Sequence, residues 1–235
     1  MSLSLMSFKG DGKLMPKITA LRIGRGRGKR LNMFLDGNFA FSLEAEVALK
    51  EGVQVGQELS ANQIEALAGS DQFNRCLNAA ARYLSYRPRS EFEIRERLHR
   101  RGFNGDSVEA VLAKLKEQGL VDDTAFAQFW KDNRESFSPR SQWLTKLELR
   151  QKGVASDIID RVVDDIDNDD SAYRAALSKA RSLPRSDYQS FCRRLGAYLK
   201  RRGFGYGVIN HTIERLWPEL ENRSRAAYFD SKPVK

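Results

Sequence analysis

Apolar positions between residues 71 and 220 recur in three copies, each keyed to a glycine. Counted from Gly102, Gly153 and Gly203, apolar residues follow at +1 (Phe103, Val154, Phe204), +6 (Val108, Ile159, Ile209), +10 (Leu112, Val163, Ile213) and +13 (Leu115, Ile166, Leu216), and a leucine precedes at −4 (Leu98, Leu149, Leu199). Steps of three and four place these residues on one face of a helix. Upstream of each glycine stands a Pro-Arg-Ser triplet: Pro88-Arg89-Ser90, Pro139-Arg140-Ser141 and Pro184-Arg185-Ser186. The serines suit a helix N-cap, where a hydroxyl accepts from an orphan amide of the first turn. Ser90 with Glu93 and Ser186 with Gln189 have capping-box spacing, whereas Ser141 meets Leu144. The glycines suit the left-handed position that closes a helix, with an apolar contact across the turn: Leu98 with Phe103, Leu149 with Val154, Leu199 with Phe204. The same ending is predicted at Gly119, with Leu115 against Leu120, and Asp122 or Asp123 caps the next helix.

A further helix precedes each triplet, marked by Phe73, Leu77, Ala80 and Leu84, then Phe126, Phe129 and Trp130, then Tyr173, Ala176, Leu177 and Ala180. The unit is a three-helix repeat of about 45–50 residues, present three times, too small for a private core and suited to stacking in an elongated array. From Pro to Gly the spacing is 14, 14 and 19 residues. The third middle helix is therefore longer by roughly 7 Å at about 1.5 Å per residue.

Residues 17–43 alternate instead. Lys17–Ile23, Leu31–Leu35 and Phe39–Leu43 read as strands, and Asp36-Gly37 between the last two is a hairpin turn. Short helices are predicted at 44–50 and 60–68. The fold class is mainly α, with a small N-terminal β-containing domain. The expected organisation is a tag-like or disordered start (1–15), the N-terminal domain (16–70), repeats at 71–121, 122–169 and 170–220, and a tail (221–235).

Composition narrows the function. A net charge of +9 favours a polyanionic partner. Two cysteines, Cys76 and Cys192, make no disulfide framework and fit a reducing cytoplasm. No apolar run reaches the ~18 residues of a membrane span. The glycine-rich GRGRGKR at 24–30 has the wrong spacing for a phosphate loop. Neither His99 nor His211 has a neighbour at metal-ligand spacing, and the run Asp164, Asp165, Asp167, Asp169, Asp170 reads as a solvated linker. No catalytic constellation, metal site or cofactor site is predicted. Phe92, Trp130, Trp143 and Trp217 fall at core spacings.

The basic clusters carry the candidate chemistry. Arg95, Arg97, Arg100 and Arg101 lie on or near the helix ending at Gly102, Lys146, Arg150 and Lys152 on the one ending at Gly153, and Arg193, Arg194, Lys200, Arg201 and Arg202 on the one ending at Gly203. Arg89, Arg140 and Arg185 stand at the opposite ends. The helix dipole favours one or two cations near a helix C-terminus. The same excess on three units exceeds that and predicts a positive stripe suited to a long polyanion or to a long protein groove of opposite charge. Arg25, Arg27, Lys29 and Arg30 of the N-terminal loop form a weaker candidate set.

The stretch RPRSEFEIRERLHRRGF, followed by VEAVLAKLKEQGLVDDTAFAQFW, SPRSQWLTKLELRQKGV and IIDRVVDDI, resembles the RecX family of regulators of the RecA recombinase, over roughly residues 73–220. KITALRI, RLNMFLDGNFAFSL and LKEGVQVGQEL resemble the N-terminal extension of its longer members. The third repeat, with its insertion and Gly205-Tyr206-Gly207, departs most from the pattern. The resemblance implies tandem three-helix repeats, no catalytic activity, and binding in the groove of the RecA–DNA filament, most often as an inhibitor of recombinase, ATPase and coprotease functions. It also implies direct binding of DNA, single- or double-stranded, by some members; a cytoplasmic monomer is expected. The alternative is a sequence-nonspecific DNA-binding helical repeat protein.

Overall fold

The computed structural model describes residues 15–24, 30–184 and 187–230, with side chains to residue 222. Three antiparallel strands, β1 (Ile18–Ile23), β2 (Arg30–Leu35) and β3 (Asn38–Glu44), form a sheet in chain order. Asp36 and Gly37 turn β2 into β3 with φ of 47° and 82°, the sign a two-residue hairpin turn requires at both central residues. Leu35 pairs with Asn38 beside it. Helix α1 (Ala45–Lys50) follows.

The two helices expected near 60–68 and 73–84 are one, α2 (Ala61–Leu84), which runs through the boundary anticipated at residue 70. Neither Gly69 nor Ser70 breaks it. Glycine without a special φ costs a helix only about 1 kcal/mol, which packing readily outweighs. The repeats then supply α3 (Glu91–Arg100), α4 (Gly105–Glu117), α5 (Asp123–Phe137), α6 (Gln142–Gln151), α7 (Ser156–Val163), α8 (Asn168–Ala180), α9 (Tyr188–Arg201) and α10 (Tyr206–Asp230). Helix α9 has 14 residues against 10 for α3 and α6, as the longer Pro-to-Gly interval predicts.

The chain divides into two compact units, one formed by residues up to 82 with Leu98–Val111, the other by Tyr83–Arg97 with everything from Leu112. In the first, Ile18, Met33, Leu43, Val47 and Leu59 are buried around the inner face of the sheet. Asp71 of α2, buried, ties that sheet to its helix: one carboxylate oxygen accepts from the Glu44 amide at 2.7 Å and the other from Arg30 at 3.0 Å. In the second, Phe126, Leu149, Ile159 and Val163 form the core of the second repeat, and Phe191, Leu195, Leu199 and Leu216 that of the third. All the buried positions that the glycine-keyed stripe predicts in these two repeats are buried. No described helix is long and apolar enough to cross a membrane.

Replacing Asp71 by Ala leaves the Glu44 amide without its side-chain acceptor and Arg30 with the Ser42 carbonyl but no carboxylate. A lost buried partner costs about 1–3 kcal/mol, so the variant should unfold at lower urea concentration, with the change read from a reporter in the sheet.

Candidate functional site

The glycine turns close as the sequence predicts. Phe103, Val154, Phe204 and Leu120 donate their amides to Leu98, Leu149, Leu199 and Leu115, and Gly102, Gly119, Gly153 and Gly203 all have φ between 67° and 85°. The serine caps form at two sites: Ser90 accepts from the Glu93 amide and Ser141 from the Leu144 amide, both at 3.1 Å. In the third repeat the cap is Asp187, which accepts from Gln189 and Ser190. Ser186 and Arg185 lie outside the described residues.

These two kinds of helix end meet each other. The Ser90 hydroxyl, which caps α3, donates at 2.6 Å to the carbonyl of Lys152, the C-cap of α6. The Ser141 amide, at the start of α6, donates at 3.0 Å to the carbonyl of Arg202, the C-cap of α9. The aromatic residue two positions after each serine lies over the glycine of the next repeat. A Cβ added to Gly153 would fall 2.6 Å from Phe92 Cγ, and one added to Gly203 would fall 2.5 Å from Ser141 Oγ and 2.7 Å from Leu144 Cβ, with Trp143 beside it. The C-cap cation then crosses the junction. Lys152 Nζ reaches the Glu93 carboxylate at 2.7 Å, and Arg202 donates to Ser138 Oγ and the Pro139 carbonyl. Phe92 and Trp143 are thus not core residues: they are 43% and 64% exposed, and serve as covers for the glycine turns.

Around the first junction the charges form a network on Trp130. Glu148 accepts from Trp130 Nε1 and Arg134 Nε at 2.8 Å each, and pairs with Arg140. Arg134 and Lys152 stand 4.3 and 4.2 Å from the indole ring, with Arg87 at 5.6 Å. Arg87 also holds Glu93. Burial pushes the Glu93 carboxyl up, but hydrogen bonds from Arg87 and Lys152 outweigh it and leave it below its ordinary value. Hydrogen bonds from Lys116 and Arg95 hold Glu91 below its ordinary value as well. Asp123, which accepts from the Glu91 amide, is raised by burial.

The candidate cations therefore divide. Arg140, Lys152 and Arg202 are internal links; Arg95 pairs with Glu91 and Lys146 with Asp160. Arg30 is spent on Asp71, and Arg25, Arg27 and Lys29 lie outside the described residues. Arg100 is exposed. The side chains of Arg101, Arg150, Arg193, Arg194, Lys200 and Arg201 are exposed and make no hydrogen bond or close ion pair with any described residue. The acidic run is also absorbed: Asp165 holds buried Lys131, Asp167 caps α8, Asp169 meets His211 and Asp170 pairs with Arg174. No described group of His, Cys, Asp and Glu is placed to hold a metal ion.

Arg89 and Arg97 form a pair that spacing alone does not reveal. Their guanidinium carbons lie 4.0 and 5.5 Å from the ring centre of Tyr83, and Arg89 Nε is buried without a hydrogen-bond partner. In the second repeat the equivalent arginine, Arg140, is neutralised by Glu148, seven positions after its cap serine; in the first repeat that position is Arg97. Comparing the two repeats position by position would have found this charge reversal.

Three family models match the chain: the regulatory protein RecX N-terminal domain over residues 16–60, the RecX first three-helix domain over 76–115, and the RecX second three-helix domain over 122–163. The regulatory protein RecX of Clostridium botulinum (strain Eklund 17B / Type B) is 30% identical over 206 residues, covering 85% of this chain and 96% of that protein. That of Bacillus velezensis is 28% identical over 218 residues, covering 90% and 81%. The crystal structure of a regulatory protein RecX is similar with a TM-score of 0.59 at 27% identity, covering 85% of this chain and 99% of that one. A RecX structure from Lactobacillus salivarius, 23% identical with a TM-score of 0.52, covers 63% and 97% and shares the fold.

Two outcomes follow from the junctions. Gly102→Ala incurs the left-handed backbone cost alone, about 1–2 kcal/mol, since nothing lies within 4 Å of the added Cβ. Gly153→Ala and Gly203→Ala add about 1–3 kcal/mol of overpacking, so urea midpoints should fall further for these two than for the first. The second outcome concerns acid. A carboxyl whose folded pKa is depressed stabilises the fold above the unfolded value of about 4.3 and loses that contribution as pH falls through the folded value. Glu93→Gln should therefore lower the thermal midpoint near pH 7 and flatten its decline as pH falls below about 4.3. An unchanged decline would mean that Glu93 is not linked to folding.

Proposed function

We propose, from the fact that this chain belongs to the RecX family of regulatory proteins, that it is a cytoplasmic, non-enzymatic regulator that binds the RecA–DNA filament along its groove and inhibits recombinase, ATPase and coprotease activities. The observation that carries this reading is the Arg89–Arg97 pair over Tyr83. Two guanidiniums lie near one aromatic ring, and among the described residues no carboxylate pairs with either, where the neighbouring repeat supplies Glu148. Like charges held together are costly unless an anion joins them, and guanidiniums take carboxylate or phosphate in a two-pronged geometry. A filament of acidic protein side chains and nucleic-acid phosphates offers both. The exposed Arg150, Arg193, Arg194, Lys200 and Arg201 supply further contacts. Several weak contacts on one rigid unit add up to avidity through effective concentration. Bridging adjacent protomers obstructs exchange of subunits or entry of a second DNA. Purely electrostatic binding to bare DNA is the competing reading, distinguished by its steep salt dependence and indifference to sequence.

The test is RecA ATPase on single-stranded DNA, titrated with this protein and with Arg97→Glu at fixed salt. The variant recreates the second repeat's arrangement, so it should stay folded, neutralise Arg89 internally, and need about tenfold more protein for half-inhibition, the ratio for a charge-assisted contact of about 1.4 kcal/mol. Equal inhibition by the two proteins would remove this pair from the interface. No inhibition by the parent chain, with salt-sensitive binding to DNA alone, would favour the competing reading.

A further inference from the structure

The two junctions in the second unit present a pair of features that packing does not use. At each, an aromatic side chain covers a glycine turn, yet only part of it is needed for the cover. Phe92 approaches the Gly153 turn with Cβ, Cγ and Cδ2, and Trp143 approaches the Gly203 turn with Cε3, 3.3 Å from where a Cβ would stand. The remainder is open: Phe92 is 43% and Trp143 64% exposed, so much of their apolar area forgoes the gain of burial. A cation stands at the same place beside each ring. The Gly153 amide donates to the Arg150 carbonyl at 2.9 Å and the Gly203 amide to the Lys200 carbonyl at 3.0 Å, so both cations belong to the covered turns. Their side chains are exposed and make no hydrogen bond or close ion pair with any described residue. Asp160, the carboxylate near Arg150, is paired with Lys146. Arg201, exposed in the same way, adds a second cation at the Gly203 turn. The Gly102 turn has no ring over it.

We propose that these two ring-and-cation pairs are stacking platforms for single-stranded nucleic acid, each ring taking the face of an unpaired base and Arg150, Lys200 and Arg201 taking the flanking phosphates. Every base has a flat π-face, so such contacts tolerate any sequence, and phosphates recur along a strand as the cations recur from one repeat to the next. A duplex keeps its base faces stacked on each other and offers the rings nothing. An acidic protein surface would satisfy the cations but leave the rings without a flat partner. The phosphate contacts rest on exposed cations that the filament reading also uses, but the stacking needs no recombinase.

The experiment titrates the full chain with a short oligothymidylate at fixed salt and reads tryptophan fluorescence. Trp130 is flanked by Arg134 and Lys152, and Trp217 packs against Phe191 and Tyr188, so a stacked base acts on Trp143 above all. Saturable quenching is expected. An abasic strand of equal length, with the same phosphates and no bases, should bind at least about tenfold more weakly. Trp143→Leu keeps an apolar cover without a flat face; it should abolish the quenching and weaken oligothymidylate binding about tenfold, followed by anisotropy of a labelled strand. Phe92→Leu should weaken binding to a similar degree while leaving the quenching at saturation intact. Lys200→Glu should weaken both strands and lower the salt slope by about 1. Equal affinity for the two strands overturns the proposal and leaves the rings to a protein surface. Oligothymidylate binding that neither leucine variant alters overturns it as well. The ATPase titration turns on Arg97, outside these junctions. Inhibition without quenching therefore removes this proposal alone, and quenching without inhibition removes the filament reading alone.

Discussion

The second unit of this protein depends on a contact between opposite helix ends. A helix that finishes in a left-handed glycine leaves bare backbone and unsatisfied carbonyls. A helix that starts at a serine cap leaves amide and hydroxyl donors and an aromatic side chain two positions in. Ser90 and Phe92 against Lys152-Gly153, and Ser141 and Trp143 against Arg202-Gly203, bring these complementary deficits together. Glycine is needed at the two covered turns for separate reasons: a φ that other residues resist, and a close approach of the covering residues that leaves no room for a methyl group. Gly102 keeps only the first reason.

The same contact sorts the basic residues. At Gly153 and Gly203 the cation on the C-cap lies beside the neighbouring repeat and is drawn into it, whereas the cation one or two residues earlier is exposed. Arg202 donates to Ser138 and Pro139, while Arg201 next to it is exposed. Lys152 lies over Trp130 and pairs with Glu93, while Arg150 is exposed. Net positive charge is therefore a poor measure of what is available to a partner. Within Arg201-Arg202-Gly203 and Arg150-Gln151-Lys152-Gly153, one cation belongs to the fold and the other to the surface.

The periodic features were legible in the sequence: the stripes, the serine caps at 90 and 141, the four glycine turns and the Asp36-Gly37 hairpin all follow from local stereochemistry. What was hidden depends on contacts between repeats. Trp143 and Phe92 have core spacing on their own helices, yet they cover a turn that belongs to another repeat. Glu93 looked like the second half of a capping box, but Arg87 and Lys152 claim its carboxylate. The cap moved to Asp187 because an acceptor one residue later was equally able to take the first-turn amides. The joining of two helices into α2 was hidden for another reason, since Gly69 and Ser70 carry a preference that packing overrides. Of the candidate cations, sequence alone could not divide internal from outward ones, but aligning Arg97 with Glu148 marks the pair that lacks a counter-charge.

Helix α6 is gripped at both ends, by the Arg202 carbonyl at its start and by the Ser90 hydroxyl at its finish. Opening it breaks two junctions at once, whereas opening a flanking repeat breaks one. In a chain of nearest-neighbour couplings the middle element is then the slowest to exchange its amide hydrogens, and the array melts from its outer repeats inward. The central repeat acts as a keystone: surface that must adapt to a partner is best placed on its flanks, where yielding costs one junction and leaves the centre intact.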